Sequence, residues 1–173
     1  MRPIAERSWI DPRLTAGPSP IHGLGIFTTA PIAAGETVIV WGGTLYTPAQ
    51  IAAGEALPRS YTAVSETLFL GHSPEHGWSL DDAINHACDP AVWMLDEVTL
   101  ATRRSLAPGD EVTIDYAMYL DDDWSPCPCR CGALGCRGLI TQHDWRREDL
   151  QARYGAHFSP FLNARIAALA AAR

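Results

Sequence analysis

Apolar positions along this chain come in short bursts rather than long helical stripes. β-Branched and aromatic residues cluster at 13–17 (RLTAG), 23–29 (GLGIFTT) and 36–43 (ETVIVWGG), separated by turn signals at His22-Gly23, Ala34-Gly35 and Gly42-Gly43. The series continues at 67–71 (TLFLG), 91–98 (AVWMLDEV) and 99–104 (TLATRR), and 111–116 (EVTIDY) follows the turn Pro108-Gly109-Asp110. Each run has strand length, and the βαβ alternation of a dinucleotide-binding sheet is missing. One helical turn is expected at 48–53, with Thr47 as N-cap and Pro48 at the first helical position. The last thirty or so residues change period. Thr141 with Asp144 resembles a weak capping box ahead of a helix at 143–154, which Gly155 stops. Ser159-Pro160 opens a second helix with Phe161, Ile166 and Leu169 on one face. The pattern predicts a mostly β chain, a cysteine-rich stretch and a helical tail.

Composition narrows the function. A chain of 173 residues, 47% apolar and 19% charged, has room for one domain with a real core and is not disordered. No window approaches twenty apolar residues, so no membrane span is expected. The first residues, MRPIAERSWIDPR, carry charge and proline where a signal peptide needs an apolar run, and a cytoplasmic location is expected. All 13 basic residues are arginine, and no lysine occurs anywhere. This lysine-free, alanine-rich composition fits a bacterial protein. The 20 acidic residues leave a net charge of -7, which argues against direct nucleic-acid binding and favours a basic protein or peptide partner.

Four of the five cysteines, Cys127, Cys129, Cys131 and Cys136, fall within ten residues, while Cys88 stands alone. An odd count without an export signal argues against a disulfide framework. Cys129, Cys131 and Cys136, with tight turns at Gly132, Gly135 and Gly138, supply three thiolates for a tetrahedral zinc site. The fourth ligand is either Cys127 or Cys88. Two other segments carry candidate chemistry: the turn His22-Gly23-Leu24-Gly25, where glycine permits close approach of a ligand, and Asn85-His86-Ala87-Cys88-Asp89-Pro90.

In chain order, the glycine turn, the Asn85 segment, Gly109-Asp110-Glu111-Val112-Thr113-Ile114-Asp115-Tyr116 and the cysteine segment resemble the SET-domain protein lysine methyltransferases with a post-SET zinc segment. The resemblance covers about residues 13–140. It implies a fold of small curved β-sheets with a pseudoknot formed by the Asn85 and Tyr116 segments. The expected divisions are an N-terminal arm (1–12), the SET domain (13–120), the zinc-binding segment (121–140) and the helical tail (141–173). The implied methyl donor is S-adenosyl-L-methionine. His22, Gly23, Leu24, Gly25, Asn85, His86, Tyr116 and Leu139 are expected around the donor. Tyr116 matches the catalytic tyrosine, and Tyr61 falls where a channel wall is expected. Cys88, Cys129, Cys131 and Cys136 match the zinc ligands, leaving Cys127 spare. Ile114 replaces the family's usual Phe or Tyr in the substrate channel, so more than one methyl per lysine is expected.

The sequence also departs from the family pattern. Asp82 and Ala83 stand where arginine and phenylalanine are common, and Ala91 stands where asparagine is usual. A non-catalytic peptide-binding module and a small-amine methyltransferase are the alternatives. The acidic run Asp121-Asp122-Asp123 reads either as a solvated loop or as a rim that steers a basic peptide.

Overall fold

A computed structural model describes residues 3–120 and 126–172. Asp121, Asp122 and Asp123 lie outside the described residues. In chain order the strands are β1 (Trp9–Ile10), β2 (Leu14–Pro18), β3 (Leu24–Thr28), β4 (Thr37–Val40), β5 (Thr44–Tyr46), β6 (Thr62–Ala63), β7 (Phe69–Gly71), β8 (Asn85–His86), β9 (Val92–Met94), β10 (Thr99–Thr102), β11 (Glu111–Ile114), β12 (Cys127–Pro128) and β13 (Leu139–Ile140). The helices are α1 (Pro48–Ala52), α2 (Glu148–Tyr154) and α3 (Pro160–Ala171).

The strands assemble into small sheets ordered β1-β4-β10-β9, β2-β3-β11-β8, β5-β7-β6 and β12-β13. Burial explains the central positions. All four residues of β10 are buried, so it lies between β4 and β9, and Val112, Thr113 and Ile114 are buried where β11 lies between β3 and β8. β8 runs parallel to β11, with Asn85 opposite Thr113 and His86 opposite Ile114. Two segments about thirty residues apart in sequence are thereby placed side by side. The N-terminal stretch is tied down, because Trp9 and Ile10 pair with Val40 and Ile39 at a sheet edge.

The helical tail closes the core. Trp145, Leu150, Tyr154, Phe158 and Leu162 are buried with Ile26, Ile39, Leu100, Ile114 and Met118. The helix expected at 143–154 is broken in two. A 3-10 turn at Asp144–Arg146 is followed by an extended Arg147 and then α2. The break follows from the sites that Asp144 and Trp145 occupy. The Asp144 carboxylate accepts from Thr141 Oγ1 (2.8 Å) and Arg137 Nε (3.0 Å), and Trp145 is buried. In α3, Ser159 Oγ accepts from Leu162 N (3.3 Å), the N-cap that Ser159-Pro160 signals. Leu162 faces the core, Phe161 and Ile166 pack partly against it, and Leu169 is exposed rather than on the buried face.

Candidate active site

The site grows from the end of β11. Asp115 Oδ1 accepts from Ala117 N (3.0 Å) and opens a 3-10 turn at Tyr116–Met118. That turn fixes Tyr116. Its backbone N–H donates to His86 Nδ1 (3.2 Å), and its hydroxyl donates to the Ile84 carbonyl (3.0 Å). The ring lies edge-on to His86 (5.3 Å between centroids) and to Tyr119 (5.8 Å), and Tyr119 in turn meets Trp41 at 5.1 Å. Burial raises the Tyr116 hydroxyl to about 12, so it stays protonated at neutral pH.

A cavity of about 840 Å³ opens beside Tyr116. Its walls include His22, Gly23 and Leu24 of the glycine turn, Asn85, the aromatic residues Trp41, Tyr61, Trp78, Tyr116 and Tyr119, and Cys127. The size falls within the range of small-ligand sites. Sequence reading did not single out Trp41 or Trp78 as site residues. Tyr119 reaches the cavity because a 3-10 turn at Tyr116–Met118 brings it beside Tyr116.

Asn85 ties the glycine turn to β11. Its Nδ2 lies within hydrogen-bond distance of the carbonyls of His22 (3.1 Å) and Leu24 (2.9 Å) and of Glu111 Oε1 (2.9 Å). Glu111 also accepts from Ser19 Oγ at 2.8 Å. Gly23 has φ of 50°, the left-handed region that glycine fills without strain. Gly25 is buried and lies against the Glu111 carboxylate and Ser19, where a Cβ would overlap Glu111. Gly25→Ala is therefore expected to displace Glu111 and loosen Asn85, costing about 1–3 kcal/mol. Thermal denaturation checks this; an unchanged melting temperature contradicts it.

The other expected site residues fall elsewhere. His86 is buried and does not line the cavity. Burial pushes its pKa down to about 4, against the pull of Asp115. The ring is thus neutral at neutral pH. Nδ1 accepts from Tyr116 N, which leaves the proton on Nε2, 3.3 Å from Cys88 Sγ. His86 bridges the cysteine cluster and the Tyr116 backbone. Ile114 is fully buried in the core and is not among the cavity walls. Leu139, half exposed on β13, also lies off the cavity and pairs with Pro128.

The four thiols of Cys88, Cys129, Cys131 and Cys136 lie within 4.8 Å of one another. Tetrahedral zinc with bonds of about 2.3 Å places its sulfurs about 3.8 Å apart, and Cys88 and Cys129 Sγ stand at 3.7 Å. Backbone N–H groups of Cys88 and Arg137 point at Cys131 Sγ (3.4 Å) and Cys88 Sγ (3.3 Å), which suits thiolates. The set fits zinc, with Cys88 rather than Cys127 as the fourth ligand. Four protein ligands close the coordination shell, the mark of a structural site.

A buried ionic network joins this cluster to the Tyr116 turn. The Arg137 guanidinium donates twice to Asp115 (2.6 and 2.8 Å) and once to Asp144 (3.0 Å). Tyr154 of α2 donates its hydroxyl to Asp115 Oδ2 at 2.8 Å. Burial alone raises a carboxyl pKa, but here Arg137 outweighs it and holds Asp115 below its ordinary value. The sequence does not reveal this network, because its bonds to Asp115 come from residues 22 and 39 positions away.

The model of the SET domain matches residues 23–117, more than half of the chain. The chain is 29% identical over 157 residues to histone-lysine N-methyltransferase ATX2 of Arabidopsis thaliana, covering 83% of this chain and 14% of that protein. It is 29% identical over 136 residues to histone-lysine N-methyltransferase SETD1 of Drosophila melanogaster, covering 71% of this chain and 8% of that one. The chain thus spans a small part of these curated relatives. Among solved structures it is similar to KRYPTONITE in complex with mCHH DNA, H3(1-15) peptide and SAH, with a TM-score of 0.59 and 21% identity over 74% of this chain and 29% of that one. The matched segment, the mostly β fold and the four-thiol cluster agree: the chain belongs to the SET-domain family.

Proposed function

We propose that the chain is a protein-lysine N-methyltransferase that takes its methyl groups from S-adenosylmethionine and acts on a basic protein or peptide. The observation that carries this reading is the single cavity in which the glycine turn and Asn85 meet Tyr116 and its aromatic neighbours. The residues present fit the donor. The nitrogen of the Asn85 amide is committed to protein groups, and its oxygen has no protein partner among the described residues. Leu24, 52% exposed on the cavity wall, offers an apolar flank.

S-Adenosylmethionine supplies a methyl group on a positively charged sulfur. The chain's own residues act on the incoming amine. A lysine side chain has a pKa of about 10.4 and is almost wholly protonated at neutral pH. Aromatic walls that exclude water disfavour the ammonium form. Tyr116, held by Ile84 and His86, fixes the wall against which the amine's lone pair must line up. The zinc thiols are not among the cavity walls, which assigns the metal to structure. We further propose a bacterial, cytoplasmic setting, from the lysine-free, alanine-rich composition. Among the described residues, no helix is long and apolar enough to cross a membrane.

The test is turnover against binding in Tyr116→Phe. The variant loses the bond to the Ile84 carbonyl while keeping the ring. Methyl transfer to host-lysate proteins is expected to fall by about a hundred-fold, with S-adenosylhomocysteine affinity changed by no more than about three-fold. Full activity in the variant would remove Tyr116 from the reaction. A wild-type protein that binds neither donor nor product would leave only the peptide-binding module.

A further inference from the structure

One stretch of the cavity wall carries chemistry that the methyl-transfer reading leaves unused. His72, Asp81 and Asp82 all line the cavity. His72 and Asp81 are 3% and 6% exposed. Nε2 of His72 lies 3.7 Å from Asp81 Oδ2 and 3.8 Å from Asp82 Oδ1, so two carboxylates converge on one imidazole. Ser8 Oγ donates to Asp81 Oδ2 (2.7 Å), and the Ser79 backbone N–H donates to Asp82 Oδ2 (2.8 Å). These bonds orient the carboxylates without neutralising them. Two buried atoms of the group, Asp81 Oδ1 and His72 Nδ1, have no hydrogen-bond partner.

A buried carboxylate oxygen without a donor is costly, and proteins rarely leave one so. Among the described residues no arginine pairs with either carboxylate. Arg59 also lines the cavity but forms no ion pair with them, and His76 stacks on the His72 ring at 4.6 Å and reaches Asp82 only through its field. Burial raises the pKa of Asp82, against the Ser79 N–H and the pull of His72 and His76. Trp78, 55% exposed and also part of the wall, offers an aromatic face, which attracts cations. The sequence departs from the SET pattern at this place. Asp82 reverses the charge of the common arginine, and Ala83 removes the common phenylalanine ring.

We infer that His72, Asp81 and Asp82 form an anionic subsite of the cavity that binds an aliphatic ammonium group beside Trp78. Asp81 Oδ1 and Asp82 Oδ1 accept its N–H groups. The ammonium comes either from the amino-acid end of S-adenosylmethionine or from a second cationic group of the methyl acceptor. That choice of source rests on the methyl-transfer reading; the subsite itself does not.

The first test uses a simple probe. n-Butylammonium chloride is titrated into the whole protein, with n-butanol and sodium chloride as controls, while the Trp78 indole and His72 ring signals are followed by NMR. Saturable shifts with the ammonium alone are expected, with affinity reduced about ten-fold or more in Asp82→Asn. Asp81→Asn, which keeps an acceptor for Ser8, is expected to act alike. Melting curves confirm that both variants fold. Equal shifts with n-butanol, no shift, or affinity unaltered in both folded variants overturns the subsite.

The source is then read from S-adenosylhomocysteine and its deaminated analogue. If the donor supplies the ammonium, the wild type prefers the amine-bearing form, and Asp82→Asn loses that preference. If the acceptor supplies it, n-butylammonium still binds alongside saturating S-adenosylhomocysteine. A protein that binds the ammonium but transfers no methyl keeps the subsite and discards the enzyme reading. A protein that transfers methyl but ignores the ammonium discards only the subsite.

Discussion

Stripping the metal from the four-thiol cluster is expected to unseat the tail and the Tyr116 turn together. Structural zinc contributes about 10–16 kcal/mol in small peptides, while a whole domain is stable by only about 5–15 kcal/mol. Here the metal would join Cys88, which follows β8, to the Cys129–Cys136 loop. Cys88 also accepts from Arg153 of α2 through its carbonyl (2.9 Å), and its sulfur meets His86, which holds Tyr116. Losing the metal leaves these links around a cluster of repelling or protonated thiols. Metal analysis is expected to find one zinc per chain in the wild type. Cys129→Ser is expected to lose it and to melt at least about 10 °C lower. Cys127→Ser should keep the zinc, since Cys127 stands outside the cluster. Full zinc in Cys129→Ser, or its loss in Cys127→Ser, contradicts the assigned ligands.

The second large effect is expected at Arg137. Arg137 and Asp115 are 6% and 0% exposed at their side chains, so neither charge has access to bulk water. Arg137→Leu leaves the Asp115 carboxylate buried with only Tyr154 and backbone donors. Breaking one side of such a pair costs about 3–5 kcal/mol. Asp115→Asn in the same chain removes the more deeply buried of the two carboxylates stranded by that loss, Asp144 being the other, and keeps an acceptor for Ala117. The double variant is expected to recover much of the loss, a coupling that denaturant unfolding of all four proteins measures. Additive losses would show that the pair is not the unit described. Because Asp115 caps the Tyr116 turn, methyl transfer should fall in Arg137→Leu beyond what the unfolded fraction explains.

Much of the fold was legible in the sequence for local reasons. Short β-branched runs between glycine turns marked β2, β3, β4, β7, β9, β10 and β11. Thr47-Pro48 and Ser159-Pro160 placed two helix starts. Two-residue strands such as β1, β6 and β12 carry too few residues for a period, and they form only because a partner strand is already in place. The helix expected at 143–154 broke because Asp144 answers to Arg137, a tertiary demand that local propensity cannot register.

Site residues divide along the same line. Asn85, Tyr116, the glycine turn and the cysteines sit in compact motifs, and the family resemblance named them. Trp41, Tyr119, Arg137 and the His72–Asp81–Asp82 wall are brought in by sheet pairing and by long-range ionic bonds. Asp82 and Ala83 were visible only as departures from the pattern. The fold gives those departures a location, on the cavity wall and beside an unpartnered carboxylate oxygen.

The most direct measurement is the position of the transferred methyl. Zinc-loaded protein is incubated with methyl-labelled S-adenosylmethionine and a lysate of its native host, and the labelled proteins are mapped by mass spectrometry. The expected result is label on lysine ε-nitrogens within basic segments. The chain itself stays unlabelled at lysine, having none. Label confined to small molecules or to other side chains, or no label from a preparation that binds S-adenosylhomocysteine, would contradict protein-lysine methylation itself.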